Sequence, residues 1–515
     1  MVDAREYHQR TKHAPRNVRG GGRLDFENKP TPYKQYAELS REELPDDPSG
    51  PTTPALEAIT VDGPTPPGRD LFGDLEADEL DRETLGELCH YAAGITKEIE
   101  LENRTVEFRA ASCTGALYHV DLYPVCGDLE DLEAGVYHYD PRTESLDVLR
   151  RGDYRGVLAA ASEDDRVADA PVTFVATSTW WRNAWKYGER TFRHAFWDSG
   201  TILANLLAVA HSRGLPASVT LGFADDPVGS LLGLDPSDEA PLELVPVGVA
   251  ESAPAEPDVD PIDPETDPLS PDPKTYSLIE RAWRAGTLAD GDRAEEWRRT
   301  ARDAAPVGTR NPGDGDTVSL EPVSRETASS RPLANTIVRR GSCREYDREP
   351  ISFRKLSTIL DRAIRAAPLD VRDEDAPALS FVEPFLVVNG VDGLEAGTYH
   401  YHPDEAQLER LRRGECRQEA GHLALDQRLG ADAAVCLYFL TDLEAVTDAL
   451  GDRGYRLAQL EASLAAGRLY LATYAHRALG GTGLTFYDDV VTDFFEPRAD
   501  GATPTFLYTI GRPAK

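Results

Sequence analysis

The apolar letters of this chain change period many times, and the changes come twice in the same order. Gly135–Tyr139 and Leu146–Leu149 alternate apolar and polar letters around a turn signal at Asp140-Pro141, which predicts a two-stranded hairpin. The segment around it, LEAGVYHYDPRTESLDVLRRG at Leu132–Gly152, returns as LEAGTYHYHPDEAQLERLRRG at Leu394–Gly414. The offset is 262 residues, far beyond the roughly 20–50 residues of a solenoid unit, so a whole domain is duplicated.

The elements around each hairpin follow from period and length. Leu85, Leu88, Cys89 and Ala92 fall at helical spacing. APVTFVATSTWW is an unbroken apolar run, the pattern of a buried strand. Asn183–Gly214 reads as one long helix stopped by Gly214, and ASVTLGFADD with LELVPVGV closes the half as a loop and a strand. The second half offers the strand AAVCLYFL, the helix YRLAQLEASLAAGRLYLATYAHRAL, then GGTGLTFYDD and the strand TPTFLYTIG. Helices and short strands alternating in each half imply an α+β or α/β layer architecture. The expected layout is an extended arm over 1–70, one domain over 71–250, an acidic Pro-rich linker plus helix over 251–335, and a second domain over 336–515.

Composition narrows the function classes. The net charge is −35 and only eight residues are lysine, a balance expected of a protein kept soluble in strong salt. There is no basic stripe for nucleic acid. No apolar run approaches the roughly 18 residues of a membrane span, and the N-terminus has no signal-peptide layout, so the expected location is cytoplasmic. Six scattered cysteines without a CxxC pair are expected to be reduced thiols. The histidines show no metal spacing, and no metal is expected. In the arm, Arg10, Thr11 and Lys12 offer an anion site or a solvated surface.

Three motifs carry a resemblance. Arg340-Gly341-Ser342-Cys343-Arg344-Glu345-Tyr346 is an RxSxR sequence followed by an aromatic residue. Gly480-Gly481-Thr482-Gly483 follows the second long helix, where glycines let backbone N–H groups approach a ligand or simply cap the helix. Arg109–Tyr118 reads RAASCTGALY. Together these resemble the flavin-dependent nitroreductase superfamily, and within it the SagB/ThcOx dehydrogenases. The resemblance implies a tandem duplication of the nitroreductase-like fold, with antiparallel-type central sheets flanked by helices. It also implies an intrachain pseudo-dimer with FMN in the cleft between its halves.

The two copies are unequal. The first half has no RxSxR; DLFGDLEAD stands there, and Ala217-Ser218-Val219-Thr220 replaces the glycines. The second half has APALSFVEP in place of the Ser-x-x-Gly-Ala-Leu-Tyr loop. In the loop itself, Ala111 and His119 stand where the family has prolines. The resemblance therefore implies one FMN site per chain. Its residues would be Arg340, Ser342, Arg344, Gln427, Gly480, Gly481 and Gly483 from the second half, and Ser112, Thr114, Gly115 and Ala116 from the first. A mirror site, with Arg10, Thr11 and Lys12 on one side, would be empty. Lys186-Tyr187 matches a pair associated with catalysis in the azoline-oxidising branch; the alternative is that Lys186 only pairs with a carboxylate such as Glu189. The expected activity is FMN-dependent dehydrogenation of a small heterocycle or peptide azoline. NAD(P)H-driven reduction of nitro or quinone compounds, or a non-catalytic flavin-binding scaffold, are the alternatives.

Overall fold

The computed structural model describes residues 2–18, 24–45, 48–60, 80–101, 104–310, 313, 315–324, 331–373 and 376–514. The DLFGDLEAD segment lies outside them. Each half is built on one antiparallel sheet. In the first, the order is Arg41–Glu43, Ser145–Arg151, Gly135–Asp140, Val120–Cys126, Val172–Thr179 and Glu239–Val247. In the second, it is Gly480–Leu484, Thr503–Gly511, Val435–Thr441, Glu383–Val388, Gly397–His402, Gln407–Arg413 and Thr317–Ser319. The duplicated hairpins pair in matching register, Tyr139 opposite Leu146 and Tyr401 opposite Leu408. The central strands Val172–Thr179 and Val435–Thr441 are buried at every residue, which explains why they read as continuous apolar runs.

The helix read from Asn183 to Gly214 is broken. It forms Trp180–Tyr187, a 3₁₀ turn at Gly188–Arg190, and Thr191–Ser212. Gly188 has φ +55°, a left-handed conformation that glycine reaches without steric cost. The second half breaks at the equivalent residue, Gly451 (φ +65°), between Leu443–Leu450 and Arg453–Ala475.

Thr191–Ser212 and Arg453–Ala475 lie against each other along the pseudo-twofold. Backbone contact at Gly200 and Gly467 makes this possible. A Cβ on Gly200 would sit 1.9 Å from Ser463 Oγ, and one on Gly467 would sit 2.4 Å from Ala204 Cβ. Charged clamps close both ends. Arg190 and Arg193 bind Asp488 of the second half at 3.0 and 2.6 Å, and Arg453 and Arg456 bind Asp225 of the first at 2.6 and 2.7 Å. All six residues are buried.

The symmetry extends into the connecting segments. His13 N–H donates to Asp488 and Arg190 donates to the Thr11 carbonyl; Leu288 N–H donates to Asp225 and Arg453 donates to the Gly286 carbonyl. The N-terminal arm therefore does for one half what the linker does for the other. It begins with a helix, Ala4–Arg10, where an extended arm was expected, capped by the Asp3 carboxylate on Glu6 N–H.

Candidate functional site

A cavity of about 590 Å³ opens between the halves, within the 300–1,000 Å³ typical of small-molecule sites. The first half contributes Ser112, Thr114, Gly115, Ala116, Lys186 and Tyr187, and the second Arg340, Ser342, Arg344, Gln427 and Gly483. Two predicted residues lie outside the lining. Gly480 and Gly481 belong to the strand Gly480–Leu484, where a Cβ would meet Pro513 and the Tyr508 hydroxyl. The glycine run is a sheet edge, so Gly480 and Gly481 neither reach a ligand in the cavity nor cap the helix. Its far end, Thr482–Thr485, is what reaches the cavity.

The loop from Ser112 to Tyr118 is held by Asp198 on the first long helix. The Thr114 N–H and hydroxyl donate to Asp198, as does the Cys113 thiol at 3.1 Å. Burial, then the Asp198 charge, pushes the Cys113 pKa well up, so the sulfur stays a thiol and a donor. His119 binds Asp198 through Nε2 at 2.9 Å and Ser178 through Nδ1 at 2.8 Å. Gly115, Ala116 and Tyr118 take left-handed φ values of 67°, 53° and 49°. The rigidity that two prolines would have supplied comes here from hydrogen bonds to one buried carboxylate.

The loop is tied across the interface. The Tyr470 hydroxyl accepts from Ser112 Oγ at 3.0 Å and from Gly483 N–H at 2.6 Å. Arg340 donates to the Ala110 and Arg109 carbonyls at 3.1 and 2.7 Å, so part of its fork joins the halves and is not open to a ligand. Arg344, exposed at the rim, has no ion-pair partner among the described residues. Gln427 stands at the N-cap position of the short helix Arg428–Asp432, after two left-handed residues, Leu425 and Asp426, and its side chain makes no capping bond.

Lys186 lies in the last turn of the helix Trp180–Tyr187. No carboxylate lies within ion-pair distance of it among the described residues, so the pairing with Glu189 is not formed. Desolvation lowers its pKa, and the charges of Arg344 and Lys29 lower it further. The Tyr187 hydroxyl packs on Gly115, where a Cβ would come within 2.7 Å, and its ring meets His194 edge-on at 4.7 Å. Burial raises the Tyr187 pKa, which keeps the phenol protonated.

Sequence reasoning missed Trp197, Thr201, Tyr470 and Phe506 in the lining, and the hairpin Ile95–Leu101/Arg104–Arg109 that brings Lys97 and Phe108 to the mouth. Trp197 and Thr201 lie one turn apart, a spacing that marks one helix face. The Trp197 indole is oriented by Gln459, 2.7 Å away on the opposite helix.

The mirror position is filled by the chain itself. Pro368 accepts from Val219 N–H at 2.8 Å and Asp370 N–H donates to Val219 at 2.9 Å. The Asp370 carboxyl then accepts from Leu221 N–H at 3.0 Å and Gly222 N–H at 2.7 Å. Leu221 and Gly222 are the counterparts, 263 residues earlier, of Leu484 and Thr485 in the open cavity. Arg10, Thr11 and Lys12 are not at this mirror position. Arg10 pairs with Glu6, the Thr11 hydroxyl accepts from Arg193, and Lys12 pairs with Asp489 of the second half. Two groups of possible metal ligands, Cys113/His119/Asp198 and His400/His402/Glu409, are each already joined by internal hydrogen bonds.

A tandem pair of α+β halves with a cavity at their junction defines a fused pseudo-dimer, and sequence comparison names its class. The nitroreductase family profile matches residues 74–249 and 337–495, and the chain belongs to that family. It is 28% identical to a protein named as a nitroreductase from Methanocaldococcus jannaschii, over 38% of this chain and 98% of that protein. It is 31% identical to the trifolitoxin-processing protein TfxB of Rhizobium leguminosarum, over 32% of this chain and 46% of that protein. It is 27% identical to the microcin B17-processing protein McbC of Escherichia coli, over 25% of this chain and 49% of that protein. The crystal structure of a nitroreductase from Anabaena variabilis superposes over the full length of both chains, with a TM-score of 0.75 at 24% identity. The nitroreductase fold in tandem, expected from the motifs, is thus established.

Proposed function

We propose that the chain is an FMN-dependent oxidoreductase that dehydrogenates a small heterocycle or a peptide-linked azoline, with one flavin per chain. The observation that carries this reading is convergence. Lys186-Tyr187 and the Ser112–Ala116 loop from one half meet Arg340, Ser342, Arg344 and Gln427 from the other in a single cavity. Relatives named for trifolitoxin and microcin processing support a peptide-linked substrate.

The residues fit the cofactor. Arg344 and Ser342 suit a phosphate, and Gln427 suits a polar ring edge. The turn at Leu484–Thr485 is the counterpart of the one whose N–H groups donate to the Asp370 carboxyl oxygen in the mirror copy, so it suits an acceptor oxygen of a ligand. When bound, FMN supplies a two-electron acceptor. Lys186, its pKa lowered, takes the proton from the substrate carbon at Nζ. Tyr187 stays protonated and donates a hydrogen bond to the reacting group. The Ser112–Tyr118 loop, fixed by Asp198, excludes water from the inner wall.

Lys186→Ala should reduce turnover by about 10²–10⁴-fold, the usual worth of a positioned general base, while the purified protein keeps its flavin. Arg344→Ala should lose flavin and Arg10→Ala should keep it. Flavin absorbance should report one FMN per chain. Two would mean that the segment at Asp370 gives way. None, even after FMN is added, would exclude every flavin-dependent reading and leave a scaffold that presents a peptide without binding flavin. The relative named as a nitroreductase keeps one rival open, reduction of nitro compounds fed by NAD(P)H. Rapid NADPH oxidation coupled to nitroarene reduction would favour it.

A further inference from the structure

The two long helices are copies of one another, and their differences mark what the open cavity needs. At the offset that pairs Arg190 with Arg453 and Arg193 with Arg456, the residues Asn183, Thr191 and His194 stand where the mirror copy has Val446, Gly454 and Leu457. In the mirror copy the three are apolar or small and packed together; a Cβ on Gly454 would lie 3.0 Å from Val446 Cγ1. In the open copy the three are polar, buried and joined. The Thr191 hydroxyl donates to Asn183 Oδ1 at 3.0 Å, and His194 Nδ1 donates to the same oxygen at 2.9 Å. Burying polar groups is costly unless their bonds are made. An apolar trio fills the same place in the other half, so packing alone does not call for a polar one.

The network ends at the cavity. Nδ1 carries the proton that bonds Asn183, so Nε2 is left unprotonated, as an acceptor. Burial, then the Arg190 charge, holds the His194 pKa well below its ordinary value, and the ring stays neutral. His194 lines the cavity with Trp197, Asp198 and Thr201 of the same helix. Those three have protein partners. Trp197 donates to Gln459 at 2.7 Å, Asp198 accepts from the Thr114 hydroxyl at 2.8 Å, and Thr201 donates to the Ser112 carbonyl at 2.7 Å. His194 Nε2 has no hydrogen-bond partner among the described residues, yet it is not sealed from solvent. It opens on the cavity, with the Tyr187 ring centre 4.7 Å from that of the imidazole.

We propose that His194 is a specificity-determining residue whose Nε2, held as an acceptor by Asn183, takes a hydrogen bond from an amide N–H of the substrate. This rests on the redox reading above and narrows it: the substrate is peptide-linked, with a backbone amide beside its ring, and not a bare heterocycle without a donor. His194 and Lys186-Tyr187 belong to the same half, so the bond fixes the substrate against the residues that act on it.

The test is calorimetric titration of the full chain, supplemented with FMN, with N-methylbenzamide and with methyl benzoate, in which an ester oxygen replaces the amide N–H. The amide should bind on the order of ten-fold more tightly, because the ester leaves a buried acceptor unpaired. His194→Leu, the residue of the mirror helix, should lose that preference with ester affinity unchanged. His194→Gln, which places an amide oxygen near the position of Nε2, should retain more of it. Asn183→Val, again the mirror residue, should weaken the preference, because the imidazole proton is then free to move to Nε2; a ring that acted by shape alone would not respond. Equal affinity for the two probes, no binding of N-methylbenzamide, a preference that survives His194→Leu, or a full preference in Asn183→Val would each overturn the proposal. The flavin ring also bears an N–H, so FMN is titrated into the parent and the variants. Loss of FMN affinity in His194→Leu, with no amide preference in the parent, would assign the acceptor to the cofactor and also overturn it. Calorimetry does not need turnover. A chain that takes up no FMN but shows a His194-dependent amide preference would sink the redox reading and leave the amide site standing.

Discussion

Glu243 is a carboxyl group with no exposed surface, on a central-sheet strand of the first half. Ser199 donates to one oxygen at 2.9 Å, and the other has no partner. Burial pushes its pKa up to about 8, against the pull of Arg456 and Arg453. In an unfolded chain the same group titrates near 4.3. Between these values the folded state holds a proton that the unfolded state has released, so stability should fall as pH rises through this window and level off above about 8. Glu243→Gln should remove the slope and leave the variant more stable than the parent at pH 9. Chemical denaturation at pH 5 and pH 9 reads the difference. Lys186 is perturbed in the opposite sense by the same cause, since burial disfavours the charged form of acid and base alike; the charges of Arg344 and Lys29 add to the effect there, whereas Arg456 and Arg453 oppose it at Glu243.

Among the elements, the paired long helices decide whether a site exists at all, because the cavity lining draws on both. Their approach depends on Gly200 and Gly467. A bulky side chain at Gly467 must displace Ala204 and the backbone at Thr201, whose Cα would lie 3.1 Å from the new Cβ. Overpacking of this kind costs about 1–3 kcal/mol or more. Gly467→Val should lower the denaturation midpoint and also reduce flavin retention, because Tyr470, one turn further on, would no longer reach Ser112 and Gly483. Unchanged flavin retention in a destabilised protein would separate the helix contact from the site. The Ser112–Tyr118 loop depends on the same helix through Asp198. Its unusual backbone is a consequence of the helix pair and not a property of the loop alone.

At the scale of the whole molecule, the two arginine clamps make the halves one folding unit. Asp225→Ala would leave Arg453 and Arg456 buried without their carboxylate, a loss of about 3–5 kcal/mol for a broken buried pair. It should lower the unfolding temperature of both halves together, in one calorimetric transition. Two separated transitions would show that the halves fold independently. Added FMN should raise the midpoint of the parent by mass action, about 2.7 kcal/mol at a hundredfold excess over the dissociation constant.

By itself the sequence determined the duplication through its repeated hairpin, and the family with its α+β class through the resemblance of three short motifs, because both are local signals. It also singled out Lys186-Tyr187, the RxSxR segment, Gln427 and the Ser112–Ala116 loop, which are short motifs with fixed spacing. The tertiary structure decided what depends on distant contacts. It alone showed that Arg340 spends hydrogen bonds on Arg109 and Ala110, and that Gly480 and Gly481 are sheet edge. It showed that Asp198 and His119 do the work of absent prolines, and that Asp370 fills the second copy of the site. Each is a contact between segments tens to hundreds of residues apart, where chain packing sets the partner and no local pattern records it.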